Sequence, residues 1–81
     1  MNRFICVYYN KNDNTIKKIR EKYNDNLYQF HKRYTKIKFY IDKKYKKLII
    51  KLKGFDGGIK KTYNKFNVSR ILRDIDDMPM G

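Results

Sequence analysis

Four segments of the chain have the side-chain pattern or the position that predicts a β-strand. Residues 3–9 are apolar in both alternating sets, which predicts a strand in the centre of its sheet. Residues 36–41 and 47–53 have apolar residues in one set and mostly lysine in the other, as strands with one solvated face do. Residues 54–58 contain Asp-Gly and Gly-Gly pairs, which tolerate the positive φ of a tight turn. Residues 59–63 are therefore predicted to return as the hairpin partner of 47–53.

Two segments show helical spacing instead, with apolar residues recurring every three or four positions. The first runs from residue 15 to about residue 34 and predicts one long helix, although Asn24 and Asn26 weaken its middle. The second begins at Asn67 or Ser69, either of which can cap a helix, and is expected to end at Pro79. The predicted order is β-α-β-β-β-α in one α/β, more strictly α+β, domain. The apolar stripes are Ile16, Ile19, Tyr23, Leu27, Phe30 and Tyr34 in the first helix, and Val68, Ile71, Leu72 and Ile75 in the second.

Net charge is the property of the composition that says most about function. The 81 residues carry a formal net charge of +13, from 21 Lys and Arg against eight Asp and Glu. Lys, Asn, Ile and Tyr supply 42 residues, and all four have AT-rich codons, as expected of an AT-rich genome such as that of a large DNA virus. Codon bias adds Asn and Ile as readily as Lys, so it does not explain the charge. Such an excess repels itself in a compact chain and favours a polyanionic partner, nucleic acid first.

The single cysteine and the N-terminal residues indicate the cellular compartment in which the protein is expected. Cys6 is the only cysteine, so the chain has neither an internal disulfide nor a Cys-x-x-Cys pair. Residues 1–9 lack an apolar stretch long enough for a signal peptide or a membrane span. We therefore expect a soluble intracellular protein, in the host cytoplasm or the virion if it is viral, without a membrane partner or a cofactor.

The last third of the chain carries two motifs in a recognisable order. Gly54-Phe-Asp-Gly-Gly-Ile-Lys60 is followed by Ile75-Asp-Asp-Met-Pro-Met80. This resembles the C-terminal signature of a functionally uncharacterised thioredoxin-like domain family, Gly-Lys-Asp-Gly-Gly-Val-Lys and then a helix ending in Ile-Asp-x-Met-Pro-Met. The match covers roughly residues 48–80, with Phe55 in place of Lys and Gly81 where the family usually has Arg.

The resemblance implies a minimal thioredoxin-like fold with a mixed four-stranded sheet and both helices on one face. It implies no redox activity, because the turn where thioredoxins place Cys-x-x-Cys is Asn10-Lys-Asn-Asp-Asn14. Residues 42–46 are too few for the helix that usually covers the other face. That face would then be bare and would present, depending on register, Phe4, Cys6, Tyr8, Lys36, Lys38, Tyr40, Lys47, Ile49, Lys51 and Lys53.

The bare face is the first candidate site, because a cationic surface with aromatic platforms is a common way to hold single-stranded nucleic acid. Its predicted contacts are Lys36, Lys38, Tyr40, Lys47, Lys51 and Lys53. Two alternatives remain open: an ordinary solvated surface whose lysines discourage edge-to-edge aggregation, and a dimer interface. The polar side of the first helix is the second candidate, through phosphate contacts of Lys17, Lys18 and Arg33.

Two further groups are weighed for chemistry. Asp74, Asp76 and Asp77 near the end of the last helix are expected to pair with a basic residue of the same chain, such as Lys60 or Arg73, with a hard cation such as Mg²⁺ as the alternative. His31 has no evident partner acid or nucleophile, so no enzyme is predicted and no small-molecule substrate is identified.

Two hypotheses follow for function. The first is a small, non-catalytic nucleic-acid-binding protein, for packaging or regulation, that contacts mainly the phosphate backbone of DNA or RNA. The alternative is a redox-inactive, thioredoxin-like protein-interaction or dimerisation module.

Overall fold

Four strands and three helices follow one another in the order β-α-α-β-β-β-α. The computed structural model describes residues 1–79, so Met80 and Gly81, the end of the family-like signature, lie outside the described residues. Among residues 1–79, no helix is both long enough and apolar enough to cross a bilayer. The elements are β1 (Arg3–Tyr9), α1 (Asn14–Asp25), α2 (Leu27–His31), β2 (Thr35–Ile41), β3 (Ile49–Lys53), β4 (Ile59–Tyr63) and α3 (Val68–Asp76).

The strands form one mixed sheet in the order β2-β1-β3-β4. β1 runs parallel to β2 and antiparallel to β3, and β3 pairs with β4 as an antiparallel hairpin. The mixed four-stranded sheet predicted from the sequence is confirmed, and so is the central place of the apolar strand β1. β2 and β4 are the two edges of the sheet.

The hydrophobic core lies on one face of the sheet. Ile5 and Val7 of β1, together with Ile50 and Leu52 of β3, point into it and are fully buried. All three helices pack on this face, because their buried apolar residues belong to the same cluster. The other alternating set of side chains therefore points away from the helices, as predicted. The helical side contributes Ile16, Ile19, Tyr23, Phe30, Ile71 and Ile75 to the core.

The predicted long helix is interrupted at Asn26. The Asn26 backbone leaves helical geometry (φ −119°, ψ 25°), and its side-chain amide donates to the carbonyl of Lys22 at 2.9 Å. Asparagine side chains compete in this way for backbone carbonyls, which weakens the helix locally. The break turns the following residues, so two predicted stripe positions are wrong. Leu27 is exposed, and Tyr34 is an exposed turn residue with a φ of 53° rather than part of a helix.

The β3–β4 hairpin closes as its sequence predicts. Gly57 has a φ of 81°, which a residue with a side chain rarely adopts. The Asp56 carboxylate accepts a hydrogen bond from the Gly58 amide at 2.8 Å and pairs with the Lys60 ammonium at 2.9 Å. Asp56, Gly57 and Gly58 are exposed, so this end of the turn is held by local hydrogen bonds. The strand before it starts at Ile49, two residues later than predicted.

The last helix begins where predicted and ends earlier. The Asn67 side chain accepts a hydrogen bond from the Arg70 amide at 3.0 Å and caps α3. Ile71 and Ile75 are buried in the core. The helix stops at Asp76, and Pro79 lies beyond its end.

Candidate nucleic-acid interface

Nine side chains form three rows across β2, β1 and β3, on the face of the sheet that carries no helix. Strand pairing aligns Lys36, Phe4 and Lys53 in the first row, and Lys38, Cys6 and Lys51 in the second. Tyr40, Tyr8 and Ile49 make the third row. We call these nine residues the lysine face.

The pairing also decides how the lysine face is divided. The central column, from β1, is Phe4, Cys6 and Tyr8 and carries no charge. Each flanking column brings two lysines, so positive charge stands on both sides of an aromatic floor. This arrangement combines a cationic path for phosphates with rings on which bases can stack.

Two of the lysines lie over the rings of the central column. The Lys38 Nζ is 4.1 Å from the centroid of the Phe4 ring, and the Lys51 Nζ is 5.1 Å from that of Tyr8. Both lysines pair with Cys6, and they lean away from it in opposite directions along the strand. Cys6 is nevertheless only 1% exposed, although it stands on the face without helices. The face is uncovered by helices but is not bare, because its own side chains close over β1.

Each cation–π contact at such a surface contributes about 0.5–1 kcal/mol. A charge-assisted hydrogen bond to a phosphate oxygen is typically stronger, about 1.5–3 kcal/mol. A phosphate can therefore draw the Lys38 and Lys51 ammoniums away from Phe4 and Tyr8, which would leave the two rings open to a ligand.

Tyrosines cluster at one end of the lysine face. The Tyr8 and Tyr40 rings stack with centroids 4.9 Å apart and planes 12° from parallel, and Tyr45 meets Tyr8 edge-on at 5.3 Å. Burial raises the pKa of Tyr8, and the neighbouring Cys6, Tyr40 and Tyr45 add to the rise. Sequence reasoning missed Tyr45, which lies in the turn after β2. The sequence contained a sign of its role, because Tyr45 is an aromatic residue among lysines in a segment that otherwise resembles a solvent-exposed loop.

Acidic side chains are absent from all four strands, as the residues of the strands themselves show. The ion pairs of the described chain are Lys11–Asp13, Arg33–Asp76, Lys60–Asp56 and Arg70–Asp74. None of them includes a lysine of the lysine face. Positive charge on this surface is therefore not neutralised by carboxylates of the same chain.

Of the other predicted contacts, Lys47 adjoins the lysine face, whereas Lys17 and Lys18 lie on the helical side. Lys47 precedes β3 and borders a shallow groove with Ile49 and Thr62 at the end of the sheet. Lys17 and Lys18 are exposed on α1, whose apolar side packs on the opposite face of the sheet. The helix and sheet candidates thus belong to opposite sides of the molecule and do not form one surface.

Arg33 holds two helices together. Its guanidinium donates to both carboxylate oxygens of Asp76, at 2.8 and 3.0 Å, and to the backbone carbonyl of Gln29 at 2.8 Å. The hydrogen bond from Arg33 lowers the pKa of Asp76, and the same contact raises the pKa of Arg33. Because its donors are engaged within the chain, we leave Arg33 out of the proposed interface.

Asp74 also has a partner within the chain. The Tyr63 hydroxyl donates to its carboxylate at 2.6 Å, and Arg70 lies 3.8 Å away. Burial, followed by the hydrogen bond to Asp74, raises the pKa of Tyr63. The expectation of basic partners is met by Arg33 for Asp76 and Arg70 for Asp74, whereas Lys60 and Arg73 were the wrong choices. Within residues 1–79, no group of three or more His, Cys, Asp or Glu side chains is arranged to hold a metal ion.

His31 is exposed at the end of α2 and makes no side-chain hydrogen bond within the described part of the chain. It borders a small depression with Asn2, Tyr34 and Lys36. Thr35 also lines the depression, and its hydroxyl donates to the Arg33 carbonyl at 3.1 Å.

Comparisons of the chain with protein-family models, curated proteins and solved structures gave no match. The resemblance of the last third to a thioredoxin-like family therefore stays a prediction.

Proposed function

We propose that this protein binds nucleic acid through the lysine face, mainly by contacts to the phosphate backbone. The observation that carries the proposal is the placement of Lys36, Lys38, Lys51 and Lys53 on both sides of an aromatic column, with no carboxylate on any strand. Phosphate contacts supply most of the affinity of such proteins and require no particular base sequence.

The distribution of charge supports this surface over the helical side. Glu21 and Asp25 stand among the lysines of α1, and Asp74 and Asp76 belong to α3. A phosphate chain that approaches the helices meets both signs of charge, whereas one that approaches the lysine face meets only positive charge. Electrostatic attraction therefore favours the sheet side.

The alternative, a protein-interaction or dimerisation module, is favoured by a different feature. β2 and β4 are free edges of the sheet, and they expose Ile41 and Ile59. An edge of this kind can pair with a strand of another chain. Dimerisation face to face through the lysine face is disfavoured, because it would place eight lysines in one interface. Light scattering tests the alternative, and a strict monomer would weaken it.

The proposal is tested by a salt titration of binding to labelled oligonucleotides, followed by fluorescence anisotropy. The key variant replaces Lys36, Lys38, Lys51 and Lys53 with Gln. Each lost phosphate contact lowers the slope of log K against log salt by about 0.7 for single strands and about 0.9 for duplex DNA. We expect the variant to bind more weakly and its slope to fall by about 3 units.

A control of equal charge separates the surface from the net charge. Replacing Lys17, Lys18, Lys22 and Lys32 with Gln removes the same number of charges from exposed positions of α1 and of the C-cap of α2. We expect this control to lower the slope by less than 1 unit. Equal losses in both variants would show that only the overall charge matters. No binding by the unaltered protein at about 50 mM salt would remove the proposal.

A further inference from the structure

One ring on the lysine face has an open side. Tyr40 stacks on Tyr8, and no other aromatic ring or cation of the described chain lies against it. Tyr40 belongs to β2, which is the edge of the sheet, and is 38% exposed. The far side of its ring therefore has no neighbouring strand beside it.

The stack of Tyr40 and Tyr8 shows how the rings stand. Their centroids are 4.9 Å apart, close to the separation of neighbouring strands, which is about 4.8 Å. Two nearly parallel rings at this distance, on adjacent strands, stand perpendicular to the sheet. They face each other across the gap between the two strands. The stack therefore runs across the strands, and its next position lies beyond Tyr40, at the edge.

The outer face of the Tyr40 ring can stack with a flat aromatic group. Every nucleobase has a π-face, so stacking of this kind tolerates any base. Lys38, two residues before Tyr40 on the same strand, can hold the neighbouring phosphate. A base at the edge and a phosphate over the lysines would occupy both features together.

The proposed function leaves the form of the nucleic acid open. Building on it, we infer that the ligand is single-stranded and that one base stacks on the outer face of Tyr40. In a duplex both faces of each internal base are covered by its neighbours, so a duplex offers this surface only its phosphates. A single strand offers phosphates to the lysines and an unstacked base to the tyrosine.

Three variants test the stacking contact with a single-stranded oligonucleotide of random sequence. Tyr40→Leu keeps an apolar side chain but removes the ring, and we expect the affinity to fall by about 5- to 150-fold. Tyr40→Phe keeps the ring and should bind like the unaltered protein. Tyr28→Leu is the matched control, because Tyr28 is 74% exposed on α2, with Lys32 near its ring; we expect no change.

The salt slope and the duplex provide independent readouts. Tyr40→Leu removes no charge, so its salt slope should equal that of the unaltered protein. Tyr40→Leu should lose at least about fivefold more affinity for the single strand than for a duplex of equal length, because only the single strand loses a stacked base. Duplex affinity should not change in Tyr40→Leu.

The outcomes separate this inference from the proposed function. Equal losses of single-strand and duplex affinity in Tyr40→Leu would overturn the inference and leave the phosphate-binding proposal standing. Failure to bind either form would overturn both. Stacking on Tyr40 would also be refuted if Tyr40→Leu bound the single strand as tightly as the unaltered protein and had the same circular dichroism spectrum.

Discussion

Crowding of lysines on one face should make the stability of the fold depend on salt. Lys36, Lys38, Lys51 and Lys53 occupy two adjacent rows and take part in none of the ion pairs of the described chain. Like charges this close repel one another and oppose the compact state. Replacing all four with Gln removes the repulsion, so the variant should gain most stability at low salt.

The strand register sets the size of the effect. Lysines two residues apart on one strand have Cα atoms about 7 Å apart, and those on either side of β1 are about 10 Å apart. In water, such pairs repel by about 0.6 and 0.4 kcal/mol. Summed over all six pairs, screened repulsion is about 2 kcal/mol at 10 mM salt and about 1 kcal/mol at 150 mM.

The variant also loses the contacts of Lys38 with Phe4 and of Lys51 with Tyr8. Each contributes about 0.5–1 kcal/mol at any of these salt concentrations. The net stability at one salt concentration is therefore a small difference between opposing effects. The difference between the two salt concentrations is better defined, because the cation–π losses cancel in it. Relative to the unaltered protein, the variant should gain about 1 kcal/mol more stability at 10 mM than at 150 mM salt.

Urea unfolding followed by circular dichroism measures this change, because urea is uncharged and leaves the ionic strength unaltered. In an 81-residue chain, 1 kcal/mol also corresponds to a shift in Tm of about 4–8 °C. The helical control variant, without Lys17, Lys18, Lys22 and Lys32, should respond less to salt because Glu21 and Asp25 share its helix. The reasoning would be refuted if the variant without Lys36, Lys38, Lys51 and Lys53 changed the free energy of unfolding by the same amount at 10 mM and at 150 mM salt.

Two further predictions concern contacts between distant parts of the chain. Tyr63→Phe should lower the free energy of unfolding by about 1.5–3 kcal/mol, because the Tyr63 hydroxyl donates to the buried carboxylate of Asp74. Tyr23→Phe should lower it by only about 0.5–1.5 kcal/mol, because the Tyr23 hydroxyl donates to a neutral backbone carbonyl, that of Thr35. Equal losses in urea unfolding would contradict this ranking. Arg33 lowers the pKa of Asp76, so their contact stabilises the fold above about pH 4 and is lost as the pH falls further. Asp76→Asn should therefore flatten the loss of stability between pH 5 and pH 2, and an unchanged acid profile would show that the pair is not responsible.

Most strand boundaries followed from local pattern. β1 has the bounds that its apolar run predicts, and β4 follows the Asp-Gly-Gly turn with the predicted bounds. Alternation also predicted which side chains share the lysine face, because residues two apart on a strand always point the same way. The placement of the helices on the opposite face was implied only by the family resemblance, because alternation does not show which face of a sheet a helix covers.

The helix interruption shows where local pattern was insufficient. Apolar spacing continued past Asn26, so periodicity predicted one helix up to Tyr34. The side chain of Asn26 instead bonds to the backbone of Lys22, and Phe30 becomes fully buried after the break. Whether an asparagine caps, bends or tolerates a helix depends on the packing that surrounds it, and spacing carries no information about that.

Partners far apart in the chain were beyond prediction for a similar reason. Arg33 and Asp76 are 43 positions apart, and they meet because α2 and α3 pack on the same face of the sheet. The choice of Arg33 over Arg73 was made by three-dimensional distance, since every cation of the chain is chemically suited to a carboxylate. The amino-acid order thus specified which side chains face together, and folding specified which of them touch, because alternation is a local property and contact across the sheet is not.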